Sequence, residues 1–361
     1  MDEVELKLRR LRQLLDRRGL RAAVLSGTDS VSWLTGGLTE RIEPGNPLSS
    51  LWLVVTAEAA YAVTTNVEQP RLAAESGLDA LGFALVDVPW YEPGGLAAAT
   101  RELAGADPLG ALDDDLVELR LALLPPEWER LAALATDATS ALQDALRSWR
   151  PGQTDLDVRS RVAGALEQTG AFGACLIVGG DERVARYRHP LSAGLPMRRL
   201  VMAVVVAERH GLHVAATRFA SAGALQPDAR RARQAALLVE WTVLDACRPG
   251  ATYGDALVAL DHGYDAAGHP EAWREHYQGG PIGYRQREFE IVPSQTESRW
   301  FGTPIGVGHA LAWNPSVRGG GKVEDTYLVE PTGLQRLTAA DGWPLEDGRP
   351  AVLDIETGGA A

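Results

Sequence analysis

Apolar positions at helical spacing open the chain. Leu8, Leu11 and Leu15 recur every three or four residues within 4–18, and Gly19 follows where a helix would end. Short apolar runs bounded by polar turns predict strands at 22–25, 51–55, 60–64 and 84–88, with a helix at 67–75. Because strands and helices alternate in this way, an α/β layer domain is predicted for residues 1–122.

A proline pair marks the predicted boundary between two domains. Pro125 and Pro126 cannot continue a helix and hold the chain extended, and a long helical pattern starts at Glu127. Helices are predicted at 127–148, 154–168, 226–247 and 254–267, and strands at 199–207, 286–292, 307–313, 323–329 and 351–355. Paired helices followed by strands predict an α+β fold for residues 123–361.

The composition and charge of the chain limit the kinds of molecule that it is expected to bind. Of the 361 residues, 45% are hydrophobic and 23% are charged, and the formal net charge is −13. An acidic surface disfavours binding to nucleic acid or to anionic membranes. The chain has no apolar run long enough to span a bilayer, and its acidic N-terminus has no apolar core of a signal peptide, so a cytoplasmic protein is predicted.

Cysteine and lysine usage bears on the chemistry that a site can carry. Cys175 and Cys247 lie far apart, without metal-ligand spacing, and are predicted to be buried reduced thiols. Lys7 and Lys322 are the only lysines, so we expect neither Schiff-base chemistry nor a lysine nucleophile. The many arginines suit bidentate recognition of carboxylates, although the nucleotide composition of the source genome explains their number equally well.

Four segments in the C-terminal third resemble, in order and spacing, the creatinase/prolidase/methionine aminopeptidase superfamily of pita-bread hydrolases. The segments are 279–284, 287–290, 312–315 and 322–329. The sequence Ala216-Thr217-Arg218 also resembles the Thr-Arg strand ending of that superfamily. The resemblance implies an α+β pita-bread domain at 123–361, a smaller creatinase-like α/β domain at 1–122, and a homodimer that acts on a small-molecule substrate.

Working members of the superfamily are expected to hold two metal ions between two aspartates, a histidine and two glutamates. The resemblance places these ligand positions at Val204, Ala215, Gly280, Asn314 and Glu324. A divalent pair needs several carboxylates for charge balance and coordination, and here one carboxylate remains. The resemblance therefore predicts no dinuclear metal site and no cofactor.

A histidine ahead of the strand predicted at 199–207 suggests chemistry without metal. His189 stands where the resemblance places a substrate histidine, which creatinase, a metal-free member, is expected to use as its acid/base. Pro190 favours an extended backbone at His189, and Arg186 and Arg188 are expected to lower the imidazole pKa and keep a neutral base available. A basic surface turn whose histidine only forms hydrogen bonds is the other interpretation.

The predicted site combines His189 with Glu288 and Glu324 as proton-transfer groups. The predicted substrate-binding residues are Arg41, Tyr187, Arg188, Arg218, Tyr284, Arg285, Arg287 and Asn314.

Two of these predictions depend on local geometry. Alternation along the strand predicted at 286–292 puts Arg285 and Arg287 on one face, opposite Glu288; a solvent-side ladder of Arg and Glu is the alternative. In related enzymes the loop equivalent to 35–45 reaches the active site of the partner subunit. Arg41 would clamp a substrate carboxylate there, or form a plain salt bridge between domains.

The other histidines are assigned no catalytic role. His210 and His213 are expected to belong to a hairpin. The remaining four have no carboxylate or cysteine at ligand spacing and are predicted to be structural: His262, His269, His276 and His309.

Three functions are weighed from the sequence. The first is a metal-independent, creatinase-like hydrolase or lyase of a small carboxylate-bearing amino-acid derivative, with cleavage of a C–N bond favoured. The second is a catalytically inactive pita-bread protein that binds a small molecule or peptide. The third is a metal-dependent aminopeptidase or prolidase with displaced ligands.

Overall fold

The structure is a computed structural model that describes residues 2–43, 45–105, 112–339 and 341–359. The chain forms two compact units, one of Met1–Glu127 with His210–Leu212 and the other of Trp128–Arg209 with His213–Ala361. In the described part of the chain, no helix is long and apolar enough to cross a membrane.

The first unit contains a four-stranded sheet and five helices in its described part. Its elements are α1 (Glu3–Arg18), β1 (Ala22–Gly27), α2 (Thr28–Leu34), β2 (Leu48–Thr56), β3 (Ala60–Thr65), α3 (Gln69–Glu75), β4 (Ala84–Val88), α4 (Gly95–Ala104) and α5 (Asp113–Leu121). The sheet order is β1-β2-β3-β4; β2 is antiparallel to both neighbours, and β4 is parallel to β3. Val54, Val63 and Ala104 form a buried cluster between the sheet and α4.

One of the two lysines has a structural role in this unit. Lys7 lies on the buried face of α1 with no exposed side-chain surface, and its Nζ is 2.6 Å from Glu3 Oε1 and 2.7 Å from Glu127 Oε1. It also donates a hydrogen bond of 2.7 Å to the carbonyl of Trp33. A buried ammonium needs opposite charge and hydrogen-bond acceptors, and this position supplies both.

The second unit begins within α6 (Pro125–Arg147) and carries the remaining elements. They are α7 (Asp155–Glu167), β5 (Phe172–Gly180), α8 (Asp181–Arg186), β6 (Leu200–Arg209), β7 (Leu212–Ser221), α9 (Pro227–Ala246), α10 (Tyr253–Ala266), a 3-10 turn (Ala272–Glu275), β8 (Gly279–Ile282), β9 (Ala310–Trp313), β10 (Ser316–Val317), β11 (Gly321–Lys322), β12 (Asp325–Glu330), β13 (Gly333–Arg336), β14 (Leu345–Glu346), β15 (Arg349–Pro350) and β16 (Leu353–Asp354). Two four-stranded sheets have the orders β16-β7-β6-β5 and β13-β12-β9-β8, and β10-β11 and β14-β15 form two-stranded pairs.

Contacts between β7 and β12 bring the two four-stranded sheets together. Every residue of β7 is buried. The hydroxyl of Thr326 donates to the carbonyl of Ala215 at 2.9 Å and accepts from the Ala215 N–H at 2.8 Å. The N–H of Thr217 donates to the carbonyl of Glu324 at 3.0 Å. These bonds fix Thr217 of β7 beside Glu324, the residue that precedes β12.

Most predicted helices and strands are present, with their ends shifted by a few residues, but the strand predicted at 286–292 is wrong. Those residues form an irregular loop. Within it, Glu288 Oε1 accepts hydrogen bonds from the backbone N–H groups of Tyr284 at 2.7 Å and Arg285 at 3.3 Å. A side chain thus satisfies backbone donors that a neighbouring strand would otherwise pair. The strand predicted at 307–313 is confined to β9.

Candidate functional site

Glu324 lies between β11 and β12, with 5% of its surface exposed. Its Oε2 accepts a hydrogen bond of 2.7 Å from Thr217 Oγ1, and its Oε1 accepts one of 3.2 Å from Asn314 Nδ2. Both carboxylate oxygens therefore have neutral donors. Of the residues predicted for the site, the structure brings Glu324 and Asn314 into direct contact.

The positions that the resemblance gives to metal ligands do not fit a pair of divalent ions. Val204 packs in an apolar cluster with Ile177 and Met202, and Ala215 is a buried aliphatic residue on β7. Gly280 has a φ of +134°, a backbone conformation that strains an L residue such as histidine. Among the described residues, no group of three or more His, Cys, Asp or Glu side chains is placed to hold a metal ion.

A buried lysine on β11 is close enough to this carboxylate for their charges to interact. Lys322 is 4% exposed, and its Nζ is 3.4 Å from His276 Nε2. Burial lowers the pKa of Lys322, the carboxylate of Glu324 opposes that change, and the guanidinium of Arg287 adds to it. Because no lysine chemistry was expected from the sequence, Lys322 was not predicted as part of the site. The rarity of lysine could have indicated Lys322, because it is one of only two lysines and stands in the segment most similar to the superfamily.

His189 lies in the loop after α8 and keeps access to solvent. Its Nε2 is 3.1 Å from His276 Nε2. Partial burial of the imidazole lowers the pKa of His189, and the ammonium of Lys322 lowers it further. The predicted direction is confirmed, but the expected causes differ, because Arg186 pairs with Glu182 at 3.0 Å and Arg188 pairs with Glu275 at 2.6 Å.

His276, which was predicted to be structural, is the second residue that contacts the predicted site. It follows the 3-10 turn Ala272–Glu275, and its Nδ1 contacts the carbonyl of Tyr277. Burial lowers the pKa of His276 to about 2, with Lys322 and His189 adding to the effect. The prediction of a purely structural histidine rested on the absence of nearby ligand residues in sequence. Its neighbours in the fold, His189 and Lys322, are distant in sequence.

The loop that carries Glu288 is organised differently from the prediction. Glu288 is 3% exposed, and its Oε1 holds the backbone of its own loop through the bonds described above. Tyr284 is 1% exposed, and Arg285 is partly buried. The Nε atom of Arg287 lies 4.0 Å from Oε2 of Glu290. The two-face alternation of these residues is wrong, because it required the strand that does not form. The catalytic role of Glu288 stays a prediction.

The remaining predicted substrate-binding residues occupy other surroundings. Arg218 is 1% exposed, and its Nη2 lies 2.7 Å from Asp325 Oδ1 and donates to the carbonyl of Thr338 at 3.1 Å. This buried network joins β7 to β12 through Arg218, and the substrate-binding role of Arg218 stays a prediction. Tyr187 is 54% exposed. In the first unit, Arg41 Nη2 donates to Thr28 Oγ1 at 3.0 Å.

Both cysteines are free thiols, as predicted, although only one is fully buried. Cys175 on β5 is partly buried, and burial together with the carboxylate of Glu324 raises its pKa. Burial raises the pKa of Cys247 to about 12. A raised thiol pKa disfavours the thiolate, so neither residue has the electrostatics of a cysteine nucleophile.

Comparison with known proteins agrees with this architecture. Residues 129–331 match the model of metallopeptidase family M24, and residues 7–147 match that of the creatinase/prolidase N-terminal domain. Comparison of the sequence with curated proteins gives no match.

Similar solved structures cover nearly the whole chain at low sequence identity. A prolidase from Pyrococcus horikoshii OT3 has 17% identity and a TM-score of 0.74, with 92% of this chain and 98% of that chain covered. A dipeptidase from Mycobacterium ulcerans has 21% identity and a TM-score of 0.73, with 93% and 96% covered. An Xaa-Pro dipeptidase from Bacillus anthracis has 17% identity and a TM-score of 0.72, with 93% and 97% covered.

These matches confirm the predicted fold class. The M24 match spans more than half of the chain, and the N-terminal match covers most of the rest. With a creatinase-like N-terminal domain followed by a pita-bread domain, the chain belongs to metallopeptidase family M24.

Proposed function

We propose that this M24 protein is a hydrolase that cleaves a C–N bond in a small carboxylate-bearing amino-acid derivative without a metal pair. The observation that carries the proposal is that Glu324, bonded to Thr217 and Asn314, is close enough to influence the pKa of Lys322 and of His189. His276 contacts both of these residues. A cation belonging to the protein thus takes the place of charge that metal ions supply in other hydrolases.

The proposed reaction uses His189 as general base. Neutral His189 takes a proton from water while the water oxygen bonds to the electrophilic carbon of the substrate. The C–N bond then breaks, and the imidazolium returns its proton to the leaving nitrogen. The lowered pKa of His189 supports this role, because it keeps the imidazole neutral at physiological pH.

Cationic side chains near the two histidines support recognition of a carboxylate. Lys322 is buried beside His276, and Arg287 is close enough to influence the pKa of both His189 and Lys322. An anionic substrate group bound here would offset the cost of burying the ammonium. The names of the similar solved proteins, prolidase and dipeptidase, support small peptides and related C–N compounds as the first substrates to test.

The test compares hydrolysis of dipeptides, N-acyl amino acids and guanidino acids by purified protein with and without chelator, alongside elemental analysis. We expect turnover without stoichiometric metal. His189→Ala should reduce kcat by roughly a hundredfold or more, with an unchanged melting temperature because His189 is exposed. His262→Ala is the matched control, an exposed histidine on α10. Full turnover by His189→Ala would overturn the assignment of the base.

A metal-dependent dipeptidase is the second candidate, and the family match favours it. It requires metal ligands outside the five expected positions, because Glu324 is the one carboxylate among those five. Loss of turnover in chelator, with recovery on adding a divalent transition metal, would support this function and contradict the first.

A further inference from the structure

One ring nitrogen of His276 is shared by two neighbours. His276 Nε2 lies 3.1 Å from His189 Nε2 and 3.4 Å from Lys322 Nζ. The two imidazole rings have centroids 4.9 Å apart and planes inclined by 59°. This contact joins three nitrogen atoms, so its hydrogen-bond pattern depends on which of them carry protons.

The backbone fixes the proton on His276. Its Nδ1 contacts the carbonyl of Tyr277, and a carbonyl oxygen only accepts, so Nδ1 carries the hydrogen. Burial and the ammonium of Lys322 keep the ring neutral, with a pKa of about 2. In a neutral imidazole with Nδ1 protonated, Nε2 is a hydrogen-bond acceptor. It therefore faces Lys322 and His189 with a lone pair.

The segment that carries His276 is held from both sides. Gln278 Nε2 donates to the carbonyl of His276 at 2.6 Å. On the other side, Glu275 receives Arg188 Nη2 and Arg318 Nη2, each at 2.6 Å. The contacts of this segment, together with the contact of Nδ1 with the carbonyl of Tyr277, therefore hold Nε2 of His276 in a defined position.

From this geometry we infer that His276 is a positioning residue that holds His189 in the tautomer protonated at Nε2. An acceptor 3.1 Å away requires a donor, so the hydrogen of His189 is on Nε2. The unprotonated Nδ1 of His189 is then the atom that takes a proton from water. The catalytic consequence rests on the proposed function, whereas the tautomer itself does not.

The tautomer is measured by long-range proton–nitrogen NMR of protein labelled with [15N]histidine. The His189 signals are assigned as those lost in His189→Gln. In the wild type we expect His189 to be protonated at Nε2. In His276→Leu, which removes the acceptor, we expect a shift toward the Nδ1-protonated form. His276→Gln supplies an amide oxygen and should retain the wild-type tautomer, and His262→Leu is the control.

The possible results separate this inference from the proposed function. A wild-type His189 protonated at Nδ1 would overturn the inference. This result needs only the assignment variant His189→Gln to fold, and that change is at an exposed residue. A His189 tautomer that is unchanged in folded His276→Leu would also overturn the inference. If a substrate is found, His276→Leu should lower kcat by about tenfold or more with little change in KM, and His276→Gln should restore most of it. Absence of turnover in the wild type would contradict the proposed function. The NMR measurement would still decide the tautomer of His189.

Discussion

At the residue scale, burial of His189 and the charge of Lys322 together are expected to set the pH range of the site. A general base works only when it is neutral. Because the pKa of His189 is lowered from its ordinary value of 6.5, the imidazole stays neutral at pH values somewhat below 6.5. The acid limb of kcat/KM should therefore have its midpoint below pH 6.5 in the wild type. Lys322→Met removes the ammonium and should move that midpoint upward, toward 6.5. Rate profiles against pH measure the shift.

Lys322→Arg is the matched control because it keeps the positive charge. It should preserve the position of the acid limb even if KM changes, since arginine fills the site differently. Identical acid limbs in Lys322→Met and the wild type would show that the ammonium does not act on His189.

At the element scale, the short strand β11 is placed by close packing against α9. A Cβ added to Gly321 would lie 2.0 Å from the carbonyl oxygen of Ala232 and 2.6 Å from a methyl group of Val317. Because the first of these atoms is backbone, Gly321→Ala should lower the free energy of unfolding by about 2 kcal/mol or more. Urea denaturation measures the loss.

Gly302→Ala is the control for this change, because nothing lies within 4 Å of its added Cβ and its φ is not in the left-handed region. Its free energy of unfolding should stay within about 0.5 kcal/mol of wild type. A Gly321→Ala protein as stable as Gly302→Ala would mean that β11 moves away from α9 at little cost.

The fold was largely predictable at this scale because most elements have a local periodic pattern. The leucines of α1 and the apolar run of β6 each select one element type from neighbouring residues alone. The strand predicted at 286–292 failed because of side-chain contacts that the alternation of residue types does not reveal. The carboxylate of Glu288 satisfies backbone donors earlier in the loop, and Phe289 stacks on Trp300 with ring centroids 4.4 Å apart.

The site was less predictable than the fold, because its partners come together from distant segments. His189 and Glu324 were predicted from their positions relative to the superfamily motifs. His276 and Lys322 have no local pattern that marks a site, and only the packing of β11 and the segment after the 3-10 turn brings them to His189. Spacing along the chain carries no information on such contacts.

At the scale of the whole molecule, a buried acid links helix α9 to the C-terminal strands of the second unit. Glu240 is 1% exposed, and its Oε2 lies 3.1 Å from Arg349 Nε on β15. Among the described residues, its Oε1 has no hydrogen-bond partner. Burial raises the pKa of Glu240 to about 7, with Asp325 adding to this and Arg349 opposing it. The folded state thus holds a proton that the unfolded state releases at lower pH.

This difference gives the stability of the second unit a pH dependence of known sign. Below pH 4.5, the ordinary pKa, Glu240 is protonated in both states and its contribution is fully present. As the pH rises to 7, Glu240 ionises first in the unfolded state, so the free energy of unfolding should fall by about 3 kcal/mol.

Glu240→Gln cannot ionise at this position and should lose this pH-dependent part of the stability, whereas exposed Glu182→Gln should keep it. Urea denaturation across this range measures the gap between wild type and Glu240→Gln. A gap that stays constant, or changes in favour of the wild type as pH rises, would contradict a protonated Glu240 in the folded protein.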